Sequence, residues 1–182
     1  FLAKTFNREG YNIVDHHTYA LVGDGDLMEG VTMEASSLAG HWGLGKLTFL
    51  YDSNDITLDG RAEMVFTEDI AKRYEAWDWH VQMVEDGNDL EVLEWAINEA
   101  KLNTTKPSII IVKTVIGYGS PNLAGTSKAH GSPLGAEEIK LTKEALGWPD
   151  KDFYVPDDVK AHYREAIDAG KKAEDAWMQT YA

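Results

Sequence analysis

Apolar positions along this chain fall in short runs separated by polar turns. Residues 19–22 form one such run and predict a first strand. Residues 29–38 carry Val31, Met33, Ala35 and Leu38 on most faces and predict a helix against a sheet, ended by Gly40, Gly43 and Gly45. Residues 47–51 are almost continuously apolar, as in a strand buried on both faces of a parallel sheet. Thr67-Glu68-Asp69 opens a helix through Trp77, residues 81–84 predict a third strand, and residues 90–102 a helix with Leu90, Leu93, Ala96, Ile97 and Ala100 on one face. Pro107 opens a fourth strand over residues 108–113. Strand and helix alternate at short spacing, which predicts an α/β fold with a doubly wound, mainly parallel sheet.

The ends of the pattern differ from its middle. Residues 1–8 read as a helical piece with no cap before it, as if the chain began inside an element, like a fragment or a second subunit. Residues 117–135 are rich in Gly, Ser, Pro and Asn, and loops of that length tend to be functional. A helix over 136–146 ends at Gly147, and residues 156–178 predict a polar helix charged on most faces. The expected organisation is a domain core over residues 1–150, incomplete at its N-terminus, and a helical linker segment over residues 151–182.

Composition narrows the function classes. A net charge of −14 over 182 residues argues against nucleic acid as a partner. There are no cysteines, so a disulfide framework and thiolate metal sites are excluded. No signal-peptide pattern and no run long enough to cross a membrane occur, so a cytoplasmic protein is expected. The six tryptophans and eight tyrosines are expected mostly in the core.

Candidate chemistry centres on Gly23-Asp24-Gly25-Asp26-Leu27-Met28-Glu29-Gly30, between the first strand and the helix. Gly25 lets the backbone approach a ligand, the helix N-terminus favours an anion, and Asp24 offers a hard oxygen to a Mg²⁺-like cation. On Gly23-Asp24-Gly25 alone, a plain strand-to-helix turn is the favoured reading. Asn54 falls just past the next strand, so the pair would sit where open parallel sheets bind ligands, with the Ile56 carbonyl as a third oxygen. Taken alone, Asn54 is an Asx-turn residue. His130 in the Gly/Pro loop has no packing duty, and an imidazole there is a side chain suited to proton transfer, although it is also readable as an ordinary exposed histidine. Lys113 ends a buried strand and could reach an anion at the same edge, or extend into solvent.

Gly23-Asp24-Gly25, followed after 28 residues by Asn54, resembles the thiamine diphosphate signature. The full run from Gly23 to Gly30, Ile116-Gly-Tyr-Gly-Ser-Pro-Asn122, Ala124-Gly-Thr126 and His130-Gly-Ser-Pro-Leu-Gly135 resemble the transketolase family, over about residues 10–150. The resemblance implies that Asp24, Asn54 and the Ile56 carbonyl hold Mg²⁺ or Ca²⁺. It implies that Gly25 and Lys113 contact the diphosphate, Glu29 supports the cofactor site, and His130 polarises the substrate oxygen or shuttles a proton. The implied reaction is transfer of a two-carbon ketol unit between sugar phosphates, in the pentose phosphate pathway. It further implies a pyrimidine-binding domain or subunit, a homo- or hetero-oligomer, and a chain that alone holds half a site and is inactive. A related ketol transferase such as dihydroxyacetone synthase, or a non-catalytic interaction module of the same fold, is the alternative.

Overall fold

The computed structural model describes residues 2–182. Two compact units are distinguished. One is residues 17–148; the other combines the chain up to His16 with Pro149–Ala182.

The larger unit is built on four parallel strands: β1 (Thr18–Gly23), β2 (Leu47–Ser53), β3 (His80–Val84) and β4 (Ser108–Lys113). Their order is β1-β2-β4-β3, so the chain crosses over β4's place to form β3 and then returns. In a right-handed fold that reversal puts the helices before and after β3 on opposite faces of the sheet. The side chains of β4 record the result. Ile109 and Ile111 pack with Tyr51, Tyr74, Trp79, Leu27 and Ala39, on the side of α3 (Gly30–His41) and α4 (Ile70–Ala76). Ile110 and Val112 pack with Val84, Ala96 and Ala100, on the side of α5 (Leu90–Leu102). The sheet is thus doubly wound.

The first face is aromatic. Tyr74 and Trp79 meet edge to face at 5.0 Å, and Phe49 tilts against Trp79 at 4.9 Å. Tyr74 and Trp79 also close a buried polar network: the Trp79 Nε1–H donates to the Ser36 carbonyl at 2.8 Å, and the hydroxyls of Ser36 and Tyr74 share a 3.2 Å hydrogen bond. The second face is covered by α5 over β3 and β4, while Leu21 on β1 remains 84% exposed.

Several expectations are corrected here. A five-residue helix, α2 (Asp24–Met28), starts at Asp24 itself, before the longer α3. One turn and a half has no apolar period to read, and its macrodipole is smaller than that of the long helix expected there. In α3 the buried residues are Ser36, Ala39 and Gly40, whereas Val31 and Leu38 are exposed. Close approach explains the choice: a Cβ on Gly40 would lie 1.8 Å from the Trp77 carbonyl oxygen, so this face needs small residues. Leu90, the first residue of α5, is also exposed. Of the aromatic residues, Trp79, Tyr51 and Tyr74 are buried, while Trp42, Trp95, Trp148 and Trp177 are exposed.

The smaller unit holds α1 (Leu2–Phe6) and α7 (Asp157–Tyr181). Asn7 organises its first segment, donating to the Val14 carbonyl at 2.9 Å and accepting from the N–H groups of Ile13 and Val14. Trp177 on α7 donates to the Ile13 carbonyl at 2.9 Å and stacks on Tyr181. The helix α7 is not uniformly polar: Val159, Tyr163, Ile167, Trp177 and Tyr181 make an exposed apolar stripe at helical spacing. Among the described residues no helix is long and apolar enough to cross a membrane.

Candidate functional site

Parallel pairing in register, with Gly23 opposite Asp52, brings the C-terminal ends of β1 and β2 side by side. Asp24 follows β1 directly and Asn54 follows β2, so both candidate ligands lie at one edge. The turn into α2 is fixed locally. The Gly23 N–H donates to the Asp26 carboxylate at 2.7 Å, and at the far end of α2 the Arg73 guanidinium donates to the Leu27 carbonyl at 3.1 Å. Leu27 is fully buried and anchors this short helix in the core.

Asp24 is only 5% exposed. Its Oδ1 accepts from the Tyr51 hydroxyl at 2.5 Å and its Oδ2 from the Asp55 N–H at 3.1 Å. Neither partner is a cation. Burial pushes the carboxyl above the usual carboxylate range, the hydrogen bonds from Tyr51 and Asp55 offset only part of that, and the Asp55 and Asp52 charges add to it. Burial likewise pushes the Tyr51 phenol up, assisted by its bond to Asp24. A desolvated carboxylate with neutral partners and two acidic neighbours is a place where a bound cation would relieve an unfavourable field.

Asn54 adopts the Asx-turn expected of it in isolation: its Oδ1 accepts from the Ile56 N–H at 2.9 Å. That uses one of two lone pairs on the oxygen, so the turn and a metal are compatible. Its Nδ2 donates to Asp52 Oδ2 at 3.1 Å. Asp55 takes a positive φ of 61° in this tight turn, and its carboxylate pairs with Arg61 at 2.6 Å. An added Cβ on Gly25 would meet nothing within 4 Å, so the space at Gly25 itself is open. No group of three or more His, Asp or Glu side chains is placed to hold a metal among the described residues. The set proposed from the sequence contains one carboxylate, one amide and one backbone carbonyl, a hard-oxygen set that suits Mg²⁺ or Ca²⁺ completed by phosphate and water.

Lys113 is opposite Ser53 in the ladder, at the same edge, with an exposed side chain. Glu29 joins α2 to α3 and is exposed. His130 lies elsewhere in the chain's order, at the end of the long loop. That loop is a series of turns with positive-φ glycines at 117, 119, 125, 131 and 135, and it is tied down through α6 (Ala136–Ala145). Glu138 accepts from the Ser120 hydroxyl, from the Asn122 N–H at 2.9 Å and from the Asn122 side-chain amide at 2.9 Å. These bonds hold the Glu138 carboxyl below its usual range, the Asn122 side chain contributing most. Onward turns run from Thr126 to Leu123 and from His130 N–H to the Ser127 carbonyl at 3.0 Å. The His130 ring is half-buried, and its Nδ1 is enclosed with no hydrogen-bond partner.

Two participants were missed in the sequence. Tyr51 read only as the last residue of an apolar strand over residues 47–51, and Asp52 fell outside that strand. A signal existed for Tyr51: a buried phenol needs a partner for its hydroxyl, and Asp24 falls within reach across a parallel pair.

Comparison with known proteins adds to this geometry. A family model described as "Transketolase, thiamine diphosphate binding domain" matches residues 1–182. The chain is 55% identical over 183 residues to a transketolase of Bacillus subtilis (strain 168) and 54% identical over 183 residues to one of Geobacillus stearothermophilus, in each case over 100% of this chain and 27% of the relative. Among solved structures it resembles a transketolase from Leishmania mexicana with a TM-score of 0.93 at 49% identity, over 98% of this chain and 27% of the other. A complex of Pichia stipitis transketolase with sedoheptulose 7-phosphate gives a TM-score of 0.92 at 42% identity, over 99% and 27%.

Proposed function

This chain belongs to the transketolase family, through its thiamine diphosphate binding domain, and from that premise we propose that it holds the metal and diphosphate half of a ketol-transfer site. The observation that carries the reading is the buried Asp24 carboxylate, whose partners, the Tyr51 hydroxyl and the Asp55 N–H, are both neutral donors. Asp24, Asn54 and the Ile56 carbonyl would hold Mg²⁺ or Ca²⁺. Gly25 and Lys113 would receive the diphosphate, and Glu29 would support the cofactor from the α2–α3 junction. When bound, thiamine diphosphate supplies the carbon chemistry of two-carbon transfer between sugar phosphates. His130, a half-buried imidazole whose Nδ1 has no internal hydrogen-bond partner, polarises the substrate oxygen or moves a proton there.

The chain spans 27% of the length of the curated relatives it matches, so the whole activity belongs to a larger assembly in this reading. That assembly supplies a pyrimidine-binding domain or subunit, as a homo- or hetero-oligomer, and the chain alone is inactive. Exposed Val31, Leu38 and Trp42, on and just after α3, offer an apolar surface to such a partner. The setting would be cytoplasmic sugar phosphate metabolism, the pentose phosphate pathway. Substrate assays of the assembly separate transketolase from dihydroxyacetone synthase. A non-catalytic module of the same fold would keep the surface without the cofactor.

Calorimetric titration of the chain with thiamine diphosphate, with and without Mg²⁺, tests the reading. Binding that depends on metal is expected, as is its loss in Asp24→Ala. Binding indifferent to metal, or unchanged in Asp24→Ala, would contradict the ligand assignment.

A further inference from the structure

We infer that Tyr51 and Asp52, consecutive residues of β2, form a positioning layer that sets the orientation of both side-chain metal ligands, Asp24 and Asn54. This rests on the reading of those two as ligands and extends it to residues that would touch neither metal nor cofactor. Neighbouring strand residues point to opposite faces. Tyr51 therefore packs its ring with Ile109 and Ile111, and its hydroxyl donates to Asp24 Oδ1 at 2.5 Å. The Asp55 N–H takes Oδ2 at 3.1 Å. With one donor on each oxygen the carboxylate is held in a single orientation, and each oxygen keeps a lone pair for a cation.

Asp52 does the corresponding work for Asn54. The two ends of an amide have nearly the same shape, so hydrogen bonding decides which end faces a site. A carboxylate only accepts. By taking the Asn54 Nδ2–H at 3.1 Å, Asp52 selects the NH₂ end and turns Oδ1 towards Ile56, whose N–H it accepts at 2.9 Å. The opposite flip would present NH₂ protons to a cation. Asp52 is itself fixed, because its Oδ1 accepts from the Thr114 hydroxyl and the Thr114 N–H donates to the Ser53 carbonyl at 3.3 Å. Asp52 is exposed, so its replacement does not open the core, and Tyr51→Phe keeps the buried ring.

The test uses the whole chain, with Mg²⁺ and thiamine diphosphate as probes. Tyr51→Phe and Asp52→Ala should each weaken metal-dependent binding about 10–100-fold, the usual effect of removing a group that orients a ligand. Asp52→Asn, which keeps an oxygen for the Asn54 amide, should recover part of the loss. In the ligand-free chain, Asp52→Ala should move the Asn54 side-chain NH₂ signals in nitrogen–proton spectra to their solvent-exposed positions. If Asp24→Ala abolishes metal-dependent binding while Tyr51→Phe and Asp52→Ala leave affinity and the Asn54 signals unchanged, the positioning layer is overturned and the metal reading stands. If Asp24→Ala leaves binding intact, the metal reading falls, and unmoved Asn54 signals in ligand-free Asp52→Ala would overturn the bracing as well. A fall in melting temperature without loss of affinity would also overturn it.

Discussion

The two parts of the candidate site are built in opposite ways. At the ends of β1 and β2 the polar side chains are tied to one another: Tyr51 to Asp24, Asp24 to the Asp55 backbone, Asn54 to Asp52 and Ile56. At the long loop the ties lie away from the chemistry. Glu138 clamps Ser120 and Asn122, and backbone turns carry that order along to His130, whose Nδ1 is left without a partner. The strand ends look like a place prepared to bind, where both candidate ligand side chains are oriented in advance. The loop looks like a place prepared to react, where a half-buried imidazole keeps a ring nitrogen without an internal partner.

The largest expected effect would sharpen that contrast on the loop side. In an assembly that turns over, His130→Ala should lower kcat by about 10²–10⁴-fold, the range for a lost proton-transfer group, with cofactor affinity much less changed. Steady-state kinetics and calorimetry on one preparation check it; a loss confined to affinity would make both parts binding elements.

On the strand side, Asp24→Ala should reduce metal-dependent affinity for thiamine diphosphate by about 100-fold or more, roughly 2.7 kcal/mol at 1.36 kcal/mol per tenfold change. A loss seen equally without metal would make Asp24 part of the scaffold only.

A smaller effect concerns the clamp. Glu138→Gln should lower hydrogen-exchange protection across residues 117–135 by about tenfold while leaving the strands unchanged. Because its hydrogen bonds depress the Glu138 carboxyl, the stabilisation is fully present above the unfolded value of 4.5 and is lost as pH falls through the lower folded value. Loop protection, corrected for intrinsic exchange, should therefore drop in that acid window in the native chain and not in Glu138→Gln.

The smallest effect is near zero. His130→Ala in the isolated chain should shift stability by no more than about 0.5 kcal/mol, since Nδ1 has no internal hydrogen bond to lose. Denaturant unfolding checks it, and a loss of several kcal/mol would mean that the ring is a packing residue after all.

The same contrast explains what could be read before the structure. The helix Leu90–Leu102 and the strand Ser108–Lys113 were legible because the first has a helical period, the second is a short continuous apolar run, and each has a physical boundary: the Asp89 carboxylate caps the first, accepting from the Val92 N–H, and Pro107 opens the second. Asp24 and Asn54 were legible because strand ends are easy to place in an alternating α/β chain. The helix α2 was not, since five residues give no periodicity. The burial of α3 was misread because Gly40 must pass close to Trp77, a contact 37 residues away in sequence that favours small residues over the apolar ones. Tyr51 was hidden in an apolar run, where its ring explains the pattern and its hydroxyl does not show. The Glu138 clamp joins a loop to a following helix, and no spacing rule announces it.

The central claim is that a divalent cation sits at the ends of β1 and β2, and paramagnetic broadening locates such a cation directly. Nitrogen–proton spectra of the chain with thiamine diphosphate and a substoichiometric amount of Mn²⁺ should lose the amide signals of Asp24, Gly25 and residues 54–56 first. Broadening centred on the acidic surface of α7, or spread evenly over the chain, would contradict the account.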